Sequence, residues 1–259
     1  MATAAPQTGI DIGRVISRGF DALLKNAVPF FGVALVLAGL PALLLQWWIM
    51  SSVNAMAADP AALATSGSFW FNMALSIVVS IVTSALLQGI LVRSTILHLG
   101  GRPVDIGHSV SVALGLILPI IGLSILLAII IGIGFLLLIV PGVILALMLC
   151  VSVPALVEER QGVFASLSRS NNLTQGSKLM IFVLMIIYVV FLWIIGLIIG
   201  LIFGGGAMVT GSLLFPSIGQ AISSTISSVV AATMVSSLYV ELRGIKEGAT
   251  PDSMAQVFV

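Results

Sequence analysis

Charge is scarce in this sequence. Lys, Arg, Asp and Glu make up 7% of its 259 residues, against about 25% in an average soluble domain. The ten basic and nine acidic side chains leave a formal net charge of +1. No Lys/Arg cluster is present that could track phosphates, so no nucleic-acid partner is expected. Cysteine occurs once, as Cys150, inside the apolar run Leu147, Met148, Leu149 and Val151. A lone thiol forms no internal disulfide, and nothing around it has metal-ligand spacing, so Cys150 reads as a packing residue. The two histidines, His98 and His108, complete the short stock of ligating groups. No metal and no other cofactor is expected.

What remains is apolar. Hydrophobic residues are 59% of the chain, and the mean hydropathy is +1.26. That is more than one core of this size can hide, so much of it must face lipid. Five apolar blocks stand out, roughly Ala27–Met50, Phe69–Val92, Val110–Val157, Leu179–Phe203 and Leu213–Val240. A membrane helix needs about 20 apolar residues. At about 1.5 Å per residue the third block would exceed about 70 Å, so it must fold back on itself. Gly132-Ile133-Gly134 and Pro141-Gly142 are the candidate turns. The expected fold is all-α: a polytopic membrane helix bundle of about six spans with interfacial amphipathic helices.

The basic residues set the orientation. Arg14, Arg18 and Lys25 precede the first span. Arg93 and Arg102 lie between the second and third, and Arg160, Arg169 and Lys178 between the fourth and fifth. Arg243 and Lys246 follow the sixth. The other connections carry none. The positive-inside rule therefore places both termini in the cytoplasm. The expected layout is a cytoplasmic N-terminus over 1–26, a membrane domain over 27–243 and a short cytoplasmic tail over 244–259. Ala55-Met56-Ala57 resembles a signal-peptidase site, but the apolar run before it is too long for a signal sequence. An uncleaved first span is expected. Trp47, Trp48 and Trp70 would mark the outer interface, while Trp193 lies mid-span and is expected to pack against another helix.

Before the first span, Asp11 to Lys25 has helical amphipathic spacing. Ile12, Val15, Ile16, Leu23 and Leu24 share one face, and Asp11, Arg14, Arg18, Asp21 and Lys25 the other. Such a segment lies flat in the inner interface. Val163, Phe164 and Leu167, opposite Arg169, form a weaker relative before the fifth span. Asp105-Ile106-Gly107-His108 before the third echoes Asp11-Ile12-Gly13-Arg14. Three copies of one unit, an interfacial helix followed by a two-span hairpin, would account for this pattern.

No ionisable residue lies in the middle of any span, where proton relays and ion-coupled carriers place theirs. The sixth span is rich in hydroxyls: Ser223, Ser224, Thr225, Ser227, Ser228, Thr233, Ser236 and Ser237. None has a nearby His or carboxylate to make a nucleophile. They read as small packing residues, or alternatively as a polar stripe lining a solute path. Gly196, Gly200 and Gly204 recur at four-residue spacing on the fifth span and offer a groove to the sixth span or to another subunit. At the inner surface, Glu158, Arg169, Glu241 and Arg243 are expected to form one network. It would join the ends of the fourth and sixth spans to the short helix before the fifth.

Several stretches carry a family likeness. They are Pro141-Gly142 with Val153-Pro154-Ala155-Leu156-Val157-Glu158, Ala165-Ser166-Leu167-Ser168-Arg169-Ser170 with Leu173-Thr174-Gln175-Gly176, and Glu241-Leu242-Arg243 with Lys246-Glu247-Gly248. Ile12-Gly13-Arg14-Val15 and Leu23-Leu24-Lys25-Asn26 also fit. In these the chain resembles the membrane domain of glycerophosphoryl diester phosphodiesterases and related YciC-type bacterial inner-membrane proteins. The resemblance implies a membrane part that, in fused members, accompanies a separate catalytic domain. No catalytic residue carries over to this chain.

The expectation is a non-enzymatic integral protein of the bacterial inner membrane, with a scaffold or accessory role linked to envelope lipids or a partner complex. The alternative is a pore or carrier for a small neutral or amphiphilic solute. Membrane lipids, a second copy or a membrane partner protein are the expected partners.

Overall fold

The computed structural model describes residues 9–45, 48, 67–210 and 214–248. Among them the chain is helical throughout, with no strand. Helix α1 (Ile12–Lys25) starts at Asp11, whose carboxylate accepts the Arg14 N–H at 3.1 Å. This supplies a partner for one of the orphan donors of the first turn. Asn26 interrupts the chain (φ −118°, ψ 27°), and α2 (Ala27–Leu45) follows at once. Helix α3 spans Gly67–Leu99.

The second unit repeats the first. Asp105 caps α4 (Ile106–Gly115) by accepting the His108 N–H at 3.0 Å, Leu116 breaks the helix, and α5 (Ile117–Leu137) runs on. It returns as α6 (Ile139–Leu149) and α7 (Ser152–Glu159). In the third unit, α8 (Val163–Thr174) precedes α9 (Lys178–Thr210) and α10 (Leu214–Glu247). The order of short helix, span, span therefore occurs three times. Among the described residues six helices are long and apolar enough to cross a membrane: α2, α3 from Phe69, α5, α6 with α7, α9 to Gly206, and α10.

The third-block turn falls at neither expected site. It is the single extended residue Leu138 (φ −165°, ψ 156°), between the two candidate sites. Gly134 and Gly142 lie just below it, where the two arms cross. A Cβ on Gly134 would come within 2.9 Å of the Gly142 Cα, and one on Gly142 within 2.8 Å of the Phe135 N. These glycines are needed for the crossing rather than the turn. Pro141 sits in the first turn of α6, where its missing N–H has no helical partner to lose. Leu136 to Val140 are all exposed, so the tip itself is apolar.

Helix α10 is the axis of the bundle and packs against α1, α2, α3 and α9. Val229, Val230, Leu238, Tyr239 and Leu242 are buried along it. Helix α1 docks on the C-terminal half of α10 through Val15, Gly19, Ala22 and Leu23, and the Ser237 hydroxyl donates to the Val15 carbonyl at 2.8 Å. Leu24, expected on the apolar face, is turned outward and exposed. Trp193 is also exposed, at 69%, against the expectation that it packs on another helix. Large apolar side chains cover the outer faces of α3, α5 and α9, and so large an exposed apolar surface needs lipid around it. Trp48 stacks on Phe69, which meets Trp70 edge to face. Trp47 and most of the Ser51–Ser68 loop lie outside the described residues, as does the tail from 249 onward.

Candidate functional site

The bundle is not solid. A cleft of about 540 Å³ lies among α2, α3, α7, α9 and α10. Most of its wall is aliphatic, including Leu37, Leu45, Leu87, Leu91, Ala231 and Val235. One strip is polar and uncharged. Ser80, Thr83, Ser84 and Gln88 stand on α3, Ser227 and Ser228 on α10, and Tyr188 on α9. The α3 residues sit at 80, 84 and 88, so they share one helix face. Concave, largely apolar sites with a few polar groups are the usual form of a small-molecule site.

Both sides of the cleft use interrupted helices. In α2, Leu35–Gly39 is wound as a π-helix, and Pro41 follows. Pro41 has no N–H, so one carbonyl of the preceding turn loses its helical donor. Leu37 and Pro41 both line the cleft. The opposite wall repeats the device. The α6–α7 span breaks at Cys150 and Val151, and Pro154 removes the donor for the Cys150 carbonyl. Cys150 and Pro154 both line the cleft as well. Irregular backbone at membrane depth is tolerated where it is buried in protein or lines a cavity. Part of the break is repaired from α8: the hydroxyls of Ser170 and Thr174 donate to the Met148 carbonyl at 2.8 and 3.3 Å. Bracing the fourth span is thus one role of α8.

The charges lie next to the cleft at one end of the bundle, in three groups. Arg93 and Glu158 pair at 3.3 Å, both almost fully buried. Glu241, also buried, receives Arg18 at 2.9 Å and Arg14 at 3.5 Å from α1. In the third group, Arg169 of α8 binds Glu159 at 2.7 Å and also binds Glu247, which Arg243 meets at 2.9 Å. The Tyr239 hydroxyl donates to the same Glu159 oxygen at 2.8 Å. Partial burial works against the Arg169 charge, yet the bonds to Glu159 and Glu247 outweigh it and raise its pKa above the ordinary value. A further cluster ties α1 to α3, where His98 bridges Asp21 at 3.2 Å and Asn26 at 3.0 Å.

The four residues expected to form one network are therefore divided. Glu158 goes to Arg93 and Glu241 to Arg14 and Arg18, while Arg169 and Arg243 meet on Glu247. The mechanical idea holds with other carboxylates: Arg169 joins the ends of the fourth and sixth spans to α8 through Glu159 and Glu247. The glycines are also reassigned. A Cβ on Gly196, Gly200 or Gly204 would meet nothing within 4 Å, so the sixth span does not use that groove. The close approaches of α9 and α10 are at Gly219 against Phe203 and at Gly206 against Phe215.

Arg93 and Gln88 are the residues that sequence reasoning passed over. Arg93 reads as a loop anchor, yet α3 continues past it to Leu99 and buries it. Gln88 is an amide set in Leu86-Leu87-Gln88-Gly89-Ile90, and that isolation was the available signal. Pro41 and Pro154 inside apolar blocks were a second one. Among the described residues no group of His, Cys, Asp or Glu stands close enough to hold a metal ion. No family model, curated protein or solved structure matches the chain.

Proposed function

We propose that this chain is a non-enzymatic, multi-pass protein of the bacterial inner membrane, with both ends in the cytoplasm, that holds a membrane amphiphile in its intramembrane cleft. The observation that carries the reading is the cleft itself, with about 540 Å³ of space, an aliphatic wall and one uncharged polar strip. A solid bundle would have favoured a pure scaffold, and a cavity ringed with charge would have favoured ion-coupled transport. The role is accessory, serving envelope lipids or a partner complex that handles them. Kinship with the membrane domain of glycerophosphoryl diester phosphodiesterases is part of the proposal and rests on the short motifs named above. Orientation rests on the Lys/Arg placement.

A carrier for a small neutral or amphiphilic solute is the second reading. It draws on the two interrupted helices that wall the cleft, because carriers build substrate sites at such breaks.

The test is occupancy. The full chain purified gently in detergent should retain lipid in native mass spectrometry. Filling the cleft with Ala231→Trp should remove that lipid without unfolding the protein. An empty wild-type cleft, or retention unchanged in Ala231→Trp, contradicts the lipid-holding role.

A further inference from the structure

The hydrogen-bonding inventory of the cleft narrows what can occupy it. Three hydroxyls on its wall have already committed their protons to their own helices. Thr83 Oγ1 donates to the Val79 carbonyl at 2.9 Å, Ser84 Oγ to Ile81 at 3.0 Å and Ser228 Oγ to Ser224 at 2.7 Å. Their oxygens remain as acceptors. The Cys150 carbonyl, whose helical donor Pro154 removes, adds one more acceptor beside the cleft. In lipid no water is present to satisfy such groups. They call for a donor.

Donors stand on the wall as well: the Ser80, Ser227 and Tyr188 hydroxyls line it and give their protons to no other group among the described residues. The Gln88 amide is exposed and makes no hydrogen bond among the described residues, so its two N–H groups and its carbonyl are all available. No lining residue is ionised near neutral pH, since cysteine and tyrosine titrate well above it. The nearest buried charges, Arg93 and Glu158, are committed to each other. An ionic headgroup seated on this strip would therefore be buried without a counter-charge, at heavy cost. The volume holds roughly a dozen and a half groups the size of a water or a methylene. That is room for the glycerol end and part of one acyl chain, with the rest of the lipid left in the bilayer.

We infer that the cleft binds an uncharged lipid carrying a free hydroxyl, of the mono- or diacylglycerol class. Its hydroxyl donates to the oxygens of Thr83, Ser84 or Ser228 or to the Cys150 carbonyl, and its ester carbonyl accepts from Gln88 or from a free hydroxyl of the strip. This deepens the lipid-holding role and rests on it.

The experiment uses the full chain in dodecyl maltoside and a pyrene-labelled diacylglycerol as the probe. Three competitors are added: dioleoylglycerol, its O-acetylated form, and dioleoyl phosphatidylglycerol. Dioleoylglycerol should displace the probe about tenfold better than the acetylated form, the loss expected for one buried hydrogen bond. Phosphatidylglycerol should compete more weakly still. Gln88→Leu should weaken probe binding by a similar factor, with the thermal midpoint confirming a folded protein. If Gln88→Leu fails to fold, the Ser84→Ala, Ser228→Ala double variant replaces it, and should shrink the gap between the hydroxyl and acetylated competitors. Equal displacement by the acetylated form overturns the hydroxyl assignment. Better displacement by phosphatidylglycerol overturns the uncharged class while leaving a lipid cleft in place. If no lipid competes and the probe does not bind, both this inference and the lipid-holding role fall together.

Discussion

The Arg93 guanidinium and the Glu158 carboxylate lie 3.3 Å apart, with 4% and 3% of their side chains exposed. The pair joins α3 to α7 directly beside the cleft, since Leu91, Val92 and Pro154 line it one turn away. Removing one partner of a buried pair strands the other charge and costs about 3–5 kcal/mol. Arg93→Met and Glu158→Leu should each lower the thermal midpoint in detergent sharply. The double variant should regain most of the loss, because a packed apolar pair carries no desolvation penalty. A double variant as unstable as the worse single one would mean that the pair does more than neutralise itself.

The remaining inner charges should behave according to partner rather than position. Glu241 faces Arg14 and Arg18, so Arg18→Glu with Glu241→Arg is the swap expected to recover part of its single-variant losses. Pairing Glu241→Arg with Arg169→Glu should recover nothing, because Arg169 belongs to Glu159 and Glu247. The recoverable part is about 1 kcal/mol, since the basic partners are partly wet. Thermal unfolding of the three single and two double variants reads both cycles.

These pairings show where the sequence stops being legible. Span number, the threefold order of elements and the inner crowding of charge follow from run length, caps and Lys/Arg placement. Partners do not. Glu158 and Glu159 are neighbours in sequence but point about 100° apart on a helix, so one meets Arg93 and the other Arg169 and Tyr239. The spacing of Gly196, Gly200 and Gly204 says that a face is smooth and leaves open which helix comes near it. The cleft arises from α2, α3, α7, α9 and α10 together, and no window along the chain contains it.

Glycine substitutions should separate packing from spacing. A Cβ at Gly142 would lie 2.5 Å from the Phe135 ring. Gly142→Leu should therefore cost about 1–3 kcal/mol or more by overpacking the α5–α6 crossing. Gly200→Leu meets nothing within the chain and should leave monomer stability near wild type. Size-exclusion chromatography of the same two variants reads whether the Gly200 face meets a second copy. A Gly142→Leu protein of wild-type stability would contradict the crossing geometry.

The hold of α1 on α3 should weaken in acid. The Asp21 carboxyl is kept below its ordinary pKa by the Lys25 ammonium first and His98 second. Asp11 is kept low chiefly by the Arg14 N–H that it caps. A carboxylate with a depressed folded pKa stabilises the fold above its unfolded value, near pH 4. That contribution fades as pH falls through the folded value. A fluorophore at Leu24→Cys, which is exposed on α1, should report loosening below about pH 4. In Asp21→Asn the acid-dependent step should shrink and the helix should be looser at neutral pH.

Orientation gives the last test. All ten Lys and Arg fall in the connections, or in the helix ends beside them, that six spans put on one side, and the positive-inside rule predicts that this side is the cytoplasm. Ser17→Cys, on the wet face of α1, should react with a membrane-impermeant maleimide only after permeabilisation. Ser66→Cys, in the connection before α3 that carries no Lys or Arg and lies outside the described residues, should react in intact cells. In that topology the α5–α6 tip shares the outer side, and it carries no polar residue from Phe135 to Val140. Its backbone turn is closed internally, with the Leu138 N–H on the Gly134 carbonyl and the Gly142 N–H on the Leu138 carbonyl. An apolar, internally bonded tip sits among acyl chains more comfortably than in water. Leu138→Cys should therefore react far more slowly than Ser66→Cys from outside, and no faster after permeabilisation. Fast external labelling at Leu138 would put the tip in water, and external labelling at Ser17 would invert the topology.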